Sequence, residues 1–298
     1  TVPSWRRNDI FAAADLVEEI ARIYGYHNLP QELPPLPHEL HEEDQIFTWE
    51  EKVRNLLCGW GFMETETYSF VNAENLSKAG FDPGNALKIE NPLNDRLTHL
   101  RPSLVPHLLE TLADNQKEED RLKLFQLNRI FLPLEDEEKL PLEVQRLTAL
   151  ESFAGDGEEV FLCVKGYVEI LLEKMGIRGA EFARAENAEI YWYDNAVAEV
   201  KLGEEVLGRC GLVNKDILHN FGIEDIVSLL DFDFEVLASM AENVRVYEPQ
   251  PTAPPVVEDL TFEMEERVAV GNVLSVLEEL SNENYLIEAS LKDIYRDE

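Results

Sequence analysis

The sequence has few cysteines and no long hydrophobic run, and each shortage excludes a class of protein. Its three cysteines, Cys58, Cys163 and Cys210, lie far apart and form no CxxC pair. This spacing excludes a zinc ribbon or dithiol motif and fits buried thiols in a reducing compartment. No apolar run approaches the roughly 18 residues of a membrane span, so the sequence predicts a soluble, cytoplasmic protein with no membrane contact.

Basic side chains are also scarce: 26 Lys and Arg stand against 60 Asp and Glu, for a formal net charge of −34. Such a surface repels nucleic acid on average, so binding there would need a local basic patch. The 298 residues are 45% hydrophobic, which is enough for a sizeable core in one or two domains. Because the first residue is Thr1 rather than Met, we expect a piece of a longer chain.

Two proline-rich stretches, one between Pro30 and Pro37 and one in "EPQPTAPP", divide the chain. Between them, helical and strand patterns are mixed, and gaps of hairpin length indicate a mainly antiparallel sheet. We therefore predict an α+β fold with four parts: the helical end of a preceding module (1–32), a linker (33–44), a core (45–244), and a truncated ferredoxin-like β-α-β unit (245–298).

Four carboxylates crowd the start of the first predicted helix, in "NDIFAAADLVEEIARIYGY": Asp9, Asp15, Glu18 and Glu19. The last three have i, i+3, i+4 spacing and share one helical face, while Asp9 can fold over from the preceding turn. Such hard oxygens can hold a divalent cation such as magnesium. The alternative is structural, because Asp15 and Glu18 form a capping-box-like pair and acids near a helix start interact well with its dipole.

The order of segments along the chain resembles that of one family. "VPSWRRNDI", "DLVEEIARIYGYHNLP", "NPLNDRLTHLRPSLVPHLLETLADNQ", "RLKLFQLNRIF" and "GEEVLGRCGLVNKDIL" are similar to successive parts of the bacterial phenylalanyl-tRNA synthetase beta subunit. "PPVVEDLTFEMEERVAVGNVLSVLEEL" resembles the opening of that family's ferredoxin-fold anticodon-binding domain. The sequence departs from the family at Gln126, where an acidic residue is usual, and in "GLVNKDIL", which lacks the usual His-Pro.

The resemblance implies a degenerate class II synthetase core. Class II chemistry needs one fixed arginine on a strand to hold the α-phosphate of ATP and another in a Gly-rich motif. "KLFQLNRIF" lacks the aromatic-Arg-x-acid arrangement, and no Gly-x-Gly-x-Gly followed by Glu-Arg is present. We therefore expect a non-catalytic chain.

The family is known as a heterotetramer of two alpha and two beta subunits that attaches phenylalanine to tRNA(Phe) with ATP and magnesium. The alpha subunit carries the active site and binds the ATP. The resemblance thus implies that this chain supports assembly with alpha and, in full-length form, tRNA binding. It also implies that Asp9, Asp15, Glu18 and Glu19 hold magnesium at the boundary with alpha.

Other interpretations remain open at this point. The chain could be a free-standing degenerate synthetase-like module with a binding or regulatory role, which would not copurify with an alpha-type chain. It could also be a metal-dependent hydrolase using the four carboxylates, although no nucleophile or general base is positioned beside them. The apolar helix face of Trp49, Val53 and Leu56 is either an interface or core.

Overall fold

A computed structural model describes residues 1–32, 44–119, 121–134, 136, 139–242, 247, 254–265, 268–280, 286 and 288–295. The chain divides into two compact units, Thr1–Glu43 and Asp44–Glu298. Nearly all of the predicted linker, 33–43, lies outside the described residues. The four domain boundaries given above stay predictions.

Helices and strands are mixed along the second unit, as the sequence predicts, and the first unit contributes helix α1. The helices are α1 (Ala13–Tyr24), α2 (Gln45–Gly59), α3 (Ala73–Lys78), α4 (Val105–Asn115), α5 (Gly157–Lys174), α6 (Lys215–Asn220), α7 (Phe234–Met240) and α8 (Val270–Leu280). The strands are β1 (Met63–Glu64), β2 (Phe70–Val71), β3 (His99–Leu100), β4 (Leu122–Leu132), β5 (Leu142–Phe153), β6 (Glu181–Arg184), β7 (Trp192–Leu202), β8 (Glu205–Val213) and β9 (Ile226–Asp233).

A seven-stranded sheet in the order β1-β4-β5-β9-β8-β7-β6 is the centre of the second unit. Only its β1–β4 pair is parallel; the other neighbours are antiparallel. Strands β2 and β3 form a small separate ladder. The prediction of an α+β fold with a mainly antiparallel sheet is confirmed.

Apolar side chains cover both faces of the sheet because successive residues of a strand point to opposite sides. On β4, Phe125 and Leu127 belong to the cluster that packs beneath α2 and α5. Leu124 and Ile130 belong to the cluster beneath α4 on the other face. We call these the α5 face and the α4 face of the sheet.

The apolar face of α2 resolves one open question. Trp49 and Val53 are buried in the α5-face cluster, and Leu56 is half-buried. Burial of each large apolar side chain contributes roughly 1.5–3 kcal/mol relative to leaving it in water. The face is therefore core of this chain rather than a surface for a partner.

The sequence pattern of "SLLDFDFEVL" predicts a strand along its whole length, but this prediction is wrong in its second half, which is helical. The strand ends at Asp233, whose carboxylate accepts a hydrogen bond from the Val236 backbone N–H at 3.1 Å and thereby caps α7. An N-cap aspartate starts a helix because it satisfies an otherwise unpaired N–H. That local contact outweighs the apolar alternation of the following residues.

The predicted ferredoxin-like unit is present only in part. In the described residues of 245–298 the helix α8 forms, and neither flanking strand does. A β-α-β piece has too few strands to cover its own apolar side chains, and Val256 and Val257 are each 84% exposed. Helix α8 is thus the regular element of this region in the residues that the structure describes.

The cysteines are not uniformly buried, contrary to the sequence prediction. Cys58 is exposed and Cys163 is half-buried, while Cys210 lies in the α5-face cluster. Burial raises the pKa of the Cys210 thiol to about 12. Within the described part of the chain, no helix combines the length and apolar character needed to cross a bilayer.

Candidate functional site

Asp15, the first of the predicted metal ligands on α1, holds the start of its own helix. Its Oδ2 accepts hydrogen bonds at 2.7 Å from the backbone N–H groups of Phe11 and Ala12. These two bonds lower the pKa of the Asp15 carboxyl. Asp15 thus has a capping role, but as the third residue of the helix reaching back to Ala12, so the predicted pair of Asp15 with Glu18 does not form.

Asp9 and Glu19 are brought together by an arginine that the sequence reasoning left aside. Arg6 Nε lies 2.7 Å from Asp9 Oδ2, and Arg6 Nη2 lies 2.5 Å from Glu19 Oε1. The other oxygen of Glu19 accepts from Arg22 Nη2 at 2.8 Å. Hydrogen bonds from Arg6 and then Arg22 lower the pKa of Glu19 from 4.5 to about 2.

The four carboxylates therefore do not surround an open cation site in this arrangement. The Arg6 guanidinium already supplies the positive charge between Asp9 and Glu19 that a metal would supply. Across the described residues, no three His, Cys, Asp or Glu side chains are grouped so that they could hold a metal ion. The assignment of magnesium to Asp9, Asp15, Glu18 and Glu19 stays a prediction.

A second set of polar residues, missed by the sequence reasoning, crosses the α4 face of the sheet. Strand register places five side chains in one line over five adjacent strands: Gln126 on β4, Thr148 on β5, Asp231 on β9, Arg209 on β8 and Glu199 on β7. Directly paired residues point to the same face of a sheet. We call this set the polar row.

Asp231 is the centre of the row and makes a forked ion pair. Its Oδ2 lies 2.8 Å from Arg146 Nη2, and its Oδ1 lies 3.2 Å from Arg146 Nε. Its Oδ1 also accepts from the Thr148 hydroxyl at 2.8 Å. Burial is the largest single influence on the pKa of Arg146 and lowers it, but the charge and hydrogen bond of Asp231, together with the charges of Tyr191 and Asp233, outweigh burial and raise the pKa.

Arg209 is neutralised in the same way at the other end of the row. Its Nη2 lies 3.0 Å from Glu199 Oε1, and its Nη1 lies 2.6 Å from Oε2 of Glu189. Lys201 Nζ contacts the second oxygen of Glu199 at 2.7 Å and, together with Arg209, lowers the pKa of Glu199. Both arginines on this face are thus paired with carboxylates of the chain itself.

A third arginine near the row is buried without a carboxylate partner in contact. Arg101 is fully buried and donates to the backbone oxygens of Arg129, Thr67 and Tyr68. Its Nη2 is buried and has no hydrogen-bond partner. Burial lowers its pKa to about 10. Its contacts fasten the segment before β2 to β4, which is a structural role.

One sequence signal could have revealed the polar row. Thr148, Asp231 and Arg209 each interrupt a short apolar run within a strand, in "RLTAL", "LLDFDF" and "LGRCGLV". Buried polar residues inside strands require partners, which only neighbouring strands can supply. Thr148 and Asp231 lie 83 residues apart, however, and Arg209 lies 10 and 20 residues from Glu199 and Glu189, so the pattern within one strand does not give the register.

Comparison with models of protein families identifies the family to which the chain belongs. A family model described as "Phenylalanyl tRNA synthetase beta chain CLM domain" matches residues 29–234, and one described as "tRNA synthetase B5 domain" matches residues 1–26. The chain belongs to the phenylalanyl-tRNA synthetase beta chain family. The polar row lies wholly within the part that matches this family.

Curated relatives from this family are similar in sequence to nearly the whole of this chain. Phenylalanine–tRNA ligase beta subunits of Clostridium tetani, Bacillus subtilis and Syntrophotalea carbinolica are 28%, 29% and 32% identical over 99%, 100% and 99% of this chain. The matched regions make up 37%, 38% and 38% of those relatives. The chain thus spans little more than a third of their length.

Solved structures of similar shape support the fold class. Two structures of pyrrolysyl-tRNA synthetase from Desulfitobacterium hafniense superpose with TM-scores of 0.54 and 0.55, at 20% and 18% identity. They cover 67% and 80% of this chain, and 73% and 81% of their own. The superposition supports the class II synthetase fold. Because the identity is this low, it says nothing about the function of the chain.

Proposed function

We propose that this chain is a non-catalytic part of a phenylalanine–tRNA ligase beta subunit, which supports assembly with a catalytic alpha subunit. The family match over 29–234 carries this proposal. In the whole assembly, two alpha and two beta subunits would attach phenylalanine to tRNA(Phe) in the cytoplasm. ATP would be bound by alpha, and the full-length beta chain would help to bind the tRNA.

The chemistry of the sheet supports a non-catalytic role. Phosphoryl groups of ATP are held by guanidinium groups that are available to them. On the α4 face, Arg146 is paired with Asp231, and Arg209 with Glu199 and Glu189. Neither guanidinium is open to a nucleotide in this arrangement.

Copurification tests the proposal. The 298-residue chain, mixed with the alpha subunit of a bacterial relative, should elute with it as one species. The chain alone should form no phenylalanyl-adenylate from phenylalanine, ATP and magnesium, whereas the complex should. Adenylate from a preparation free of alpha would overturn the non-catalytic role, and failure to bind alpha would favour the free-standing module.

Magnesium at the first unit belongs to the same proposal, with one added requirement. With Arg6 between Asp9 and Glu19, the carboxylates do not fit an ion, so Arg6 would have to leave for one to bind. When bound, the ion would supply a positive charge at the boundary with alpha. If Glu18→Ala and Glu19→Ala leave magnesium-dependent assembly unchanged, the local roles of these acids are the better explanation.

A further inference from the structure

The small β2–β3 ladder has few backbone contacts of its own. It consists of two residue pairs, Phe70 with Leu100 and Val71 with His99. An isolated bridge between Lys88 and His99 extends it by one position. Because a pair of short strands is marginally stable by itself, this ladder depends on the side chains packed around it.

Two buried histidines flank the ladder. His99 lies in β3, is 7% exposed, and has its Nδ1 2.9 Å from the hydroxyl oxygen of Thr98. His107 lies in the first turn of α4, is also 7% exposed, and has its Nε2 3.2 Å from the backbone oxygen of Phe70 in β2. The Nδ1 of His107 is buried and has no hydrogen-bond partner. A proton added to that nitrogen would therefore lack an acceptor.

The surroundings of His107 disfavour a second positive charge. Arg101, just before α4, is fully buried, and its Nη2 has no hydrogen-bond partner. Burial and then the charge of Arg101 lower the pKa of His107, and they outweigh the opposing charge of Glu110 and the bond to Phe70. Glu66 acts on Arg101 but does not contact it at hydrogen-bond distance. A protonated His107 would thus lie beside a cation whose own charge is poorly balanced.

His99 also has a cation as its charged neighbour. Burial and then the charge of Lys88 lower the pKa of His99 below its ordinary value of 6.5. The chain has 60 Asp and Glu against 26 Lys and Arg, so two buried histidines beside cations run against its overall charge. Both histidines around the ladder therefore share surroundings that oppose protonation.

We propose that the β2–β3 ladder is an acid-sensitive element, which opens when His99 and His107 take up protons while the seven-stranded sheet stays folded. In the open form both rings reach water, where neither burial nor a neighbouring cation opposes their charge. Opening would also release segment 67–70, which Arg101 and His107 hold through its backbone oxygens. This inference goes beyond the proposed function and does not rest on it.

The direction of the pH dependence follows from the two lowered pKa values. The open ladder binds protons at the ordinary histidine pKa of 6.5, whereas the closed ladder binds them only at lower pH. Closure is therefore fully favoured above about pH 6.5, and it weakens as the pH falls below that value. Between pH 7.5 and 5.5, each histidine can raise the ratio of open to closed ladder by up to about tenfold.

Hydrogen exchange of the 298-residue chain at pH 7.5 and 5.5 tests the proposal. The reporters are the amides of Thr98 and Arg101, which donate to the backbone oxygens of Val71 and Ser69 at 3.2 and 2.9 Å. Protection factors, which correct for the intrinsic effect of pH on exchange, should fall by about tenfold or more at both amides. Protection in the middle of β5 and β9 should change by less than about twofold. Equal losses in ladder and sheet, or no loss in the ladder, would overturn the proposal.

Three neutral variants identify the groups responsible. His107→Gln keeps a side-chain N–H that can reach Phe70 but cannot titrate, so it should remove up to about tenfold of the acid-induced loss. Lys88→Gln changes an exposed residue and takes the cation away from His99, so it should also reduce the loss. His219→Gln removes an exposed histidine of α6 and is the matched control, which should retain the full loss.

The test does not depend on the folding of the buried variant. If His107→Gln fails to fold, Lys88→Gln still decides the role of His99. NMR titration of the imidazoles in the unmodified chain gives a second measurement, in which His99 and His107 should have midpoints below 6.5. Midpoints at or above 6.5, or a full acid-induced loss in every variant that folds, would show that these histidines do not control the ladder.

Discussion

Two arginine–carboxylate pairs of this chain lie in very different surroundings. Arg6 meets Glu19 at the surface of the first unit, where helix α1 has no buried residue. Arg146 meets Asp231 on the sheet, beside the fully buried Thr148. The surface pair contributes little to stability because water and salt screen it, whereas the sheet pair replaces solvation that both ions have lost.

The same difference extends to the apolar side chains. Phe11 of the first unit is 81% exposed, and Ile20 and Ile23 of α1 are 68% and 79% exposed. Phe125 and Phe232 of the sheet are fully buried. The sheet therefore has a hydrophobic core, and the described part of the first unit has none. Equal substitutions in the two regions should have unequal effects.

Phe232→Ala should produce the largest effect. Removal of a fully buried ring from the α5-face cluster should lower the free energy of unfolding by about 4 kcal/mol. The matched change in the first unit, Phe11→Ala, should lower it by less than about 0.5 kcal/mol. Urea denaturation followed by circular dichroism measures both; equal losses would contradict the contrast in burial.

Asp231→Ala should come next. It leaves the Arg146 charge without a partner inside the sheet, and we expect a loss of about 2 kcal/mol. The value is below that of a fully buried pair because 22% of the Arg146 side chain is exposed. Glu19→Ala, which removes the surface counterpart, should leave the urea midpoint unchanged. A larger loss for Glu19→Ala would reverse the comparison.

Elements fixed by local periodicity could be predicted from the sequence. The apolar spacing of Trp49 and Val53 predicts α2, and the runs around Phe125 and Leu147 predict two long strands. Elements that depend on only a few contacts could not be predicted from the sequence. Strands β1 and β2 have only two residues each, and α7 depends on one capping aspartate.

The site was harder to predict, because its residues meet over long distances. Arg6 lies 13 positions before Glu19, and Thr148 lies 83 positions before Asp231. Helical spacing correctly places three of the acids on one helix, yet it says nothing about an arginine in the preceding turn. The polar row depends on strand register, which no pattern within one strand contains.

The titration of Glu19 sharpens the comparison without changing stability much. Its carboxyl pKa of about 2 should rise toward its usual 4.5 when Arg6→Ala removes the hydrogen bond that lowers it most. The pKa of Glu19 is lower in the folded chain than in the unfolded chain. The stabilisation that the Arg6–Glu19 pair gives the first unit is therefore complete above pH 4.5, and it disappears as the pH falls toward 2. Carbon-13 NMR of the side-chain carboxyl measures the midpoint; an unchanged value in Arg6→Ala would refute the ion pair.

The smallest expected effect concerns the N-terminal side of α1. Asp15→Ala removes the acceptor for the backbone N–H groups of Phe11 and Ala12, so those two amides should exchange with deuterium faster. Asp15→Asn keeps a side-chain oxygen and should preserve much of the protection, although it loses the charge that strengthens the bonds. Hydrogen exchange followed by NMR separates the two variants. Unchanged exchange at both amides in Asp15→Ala would mean that the carboxylate is free for another role, and magnesium would then become the better account of it.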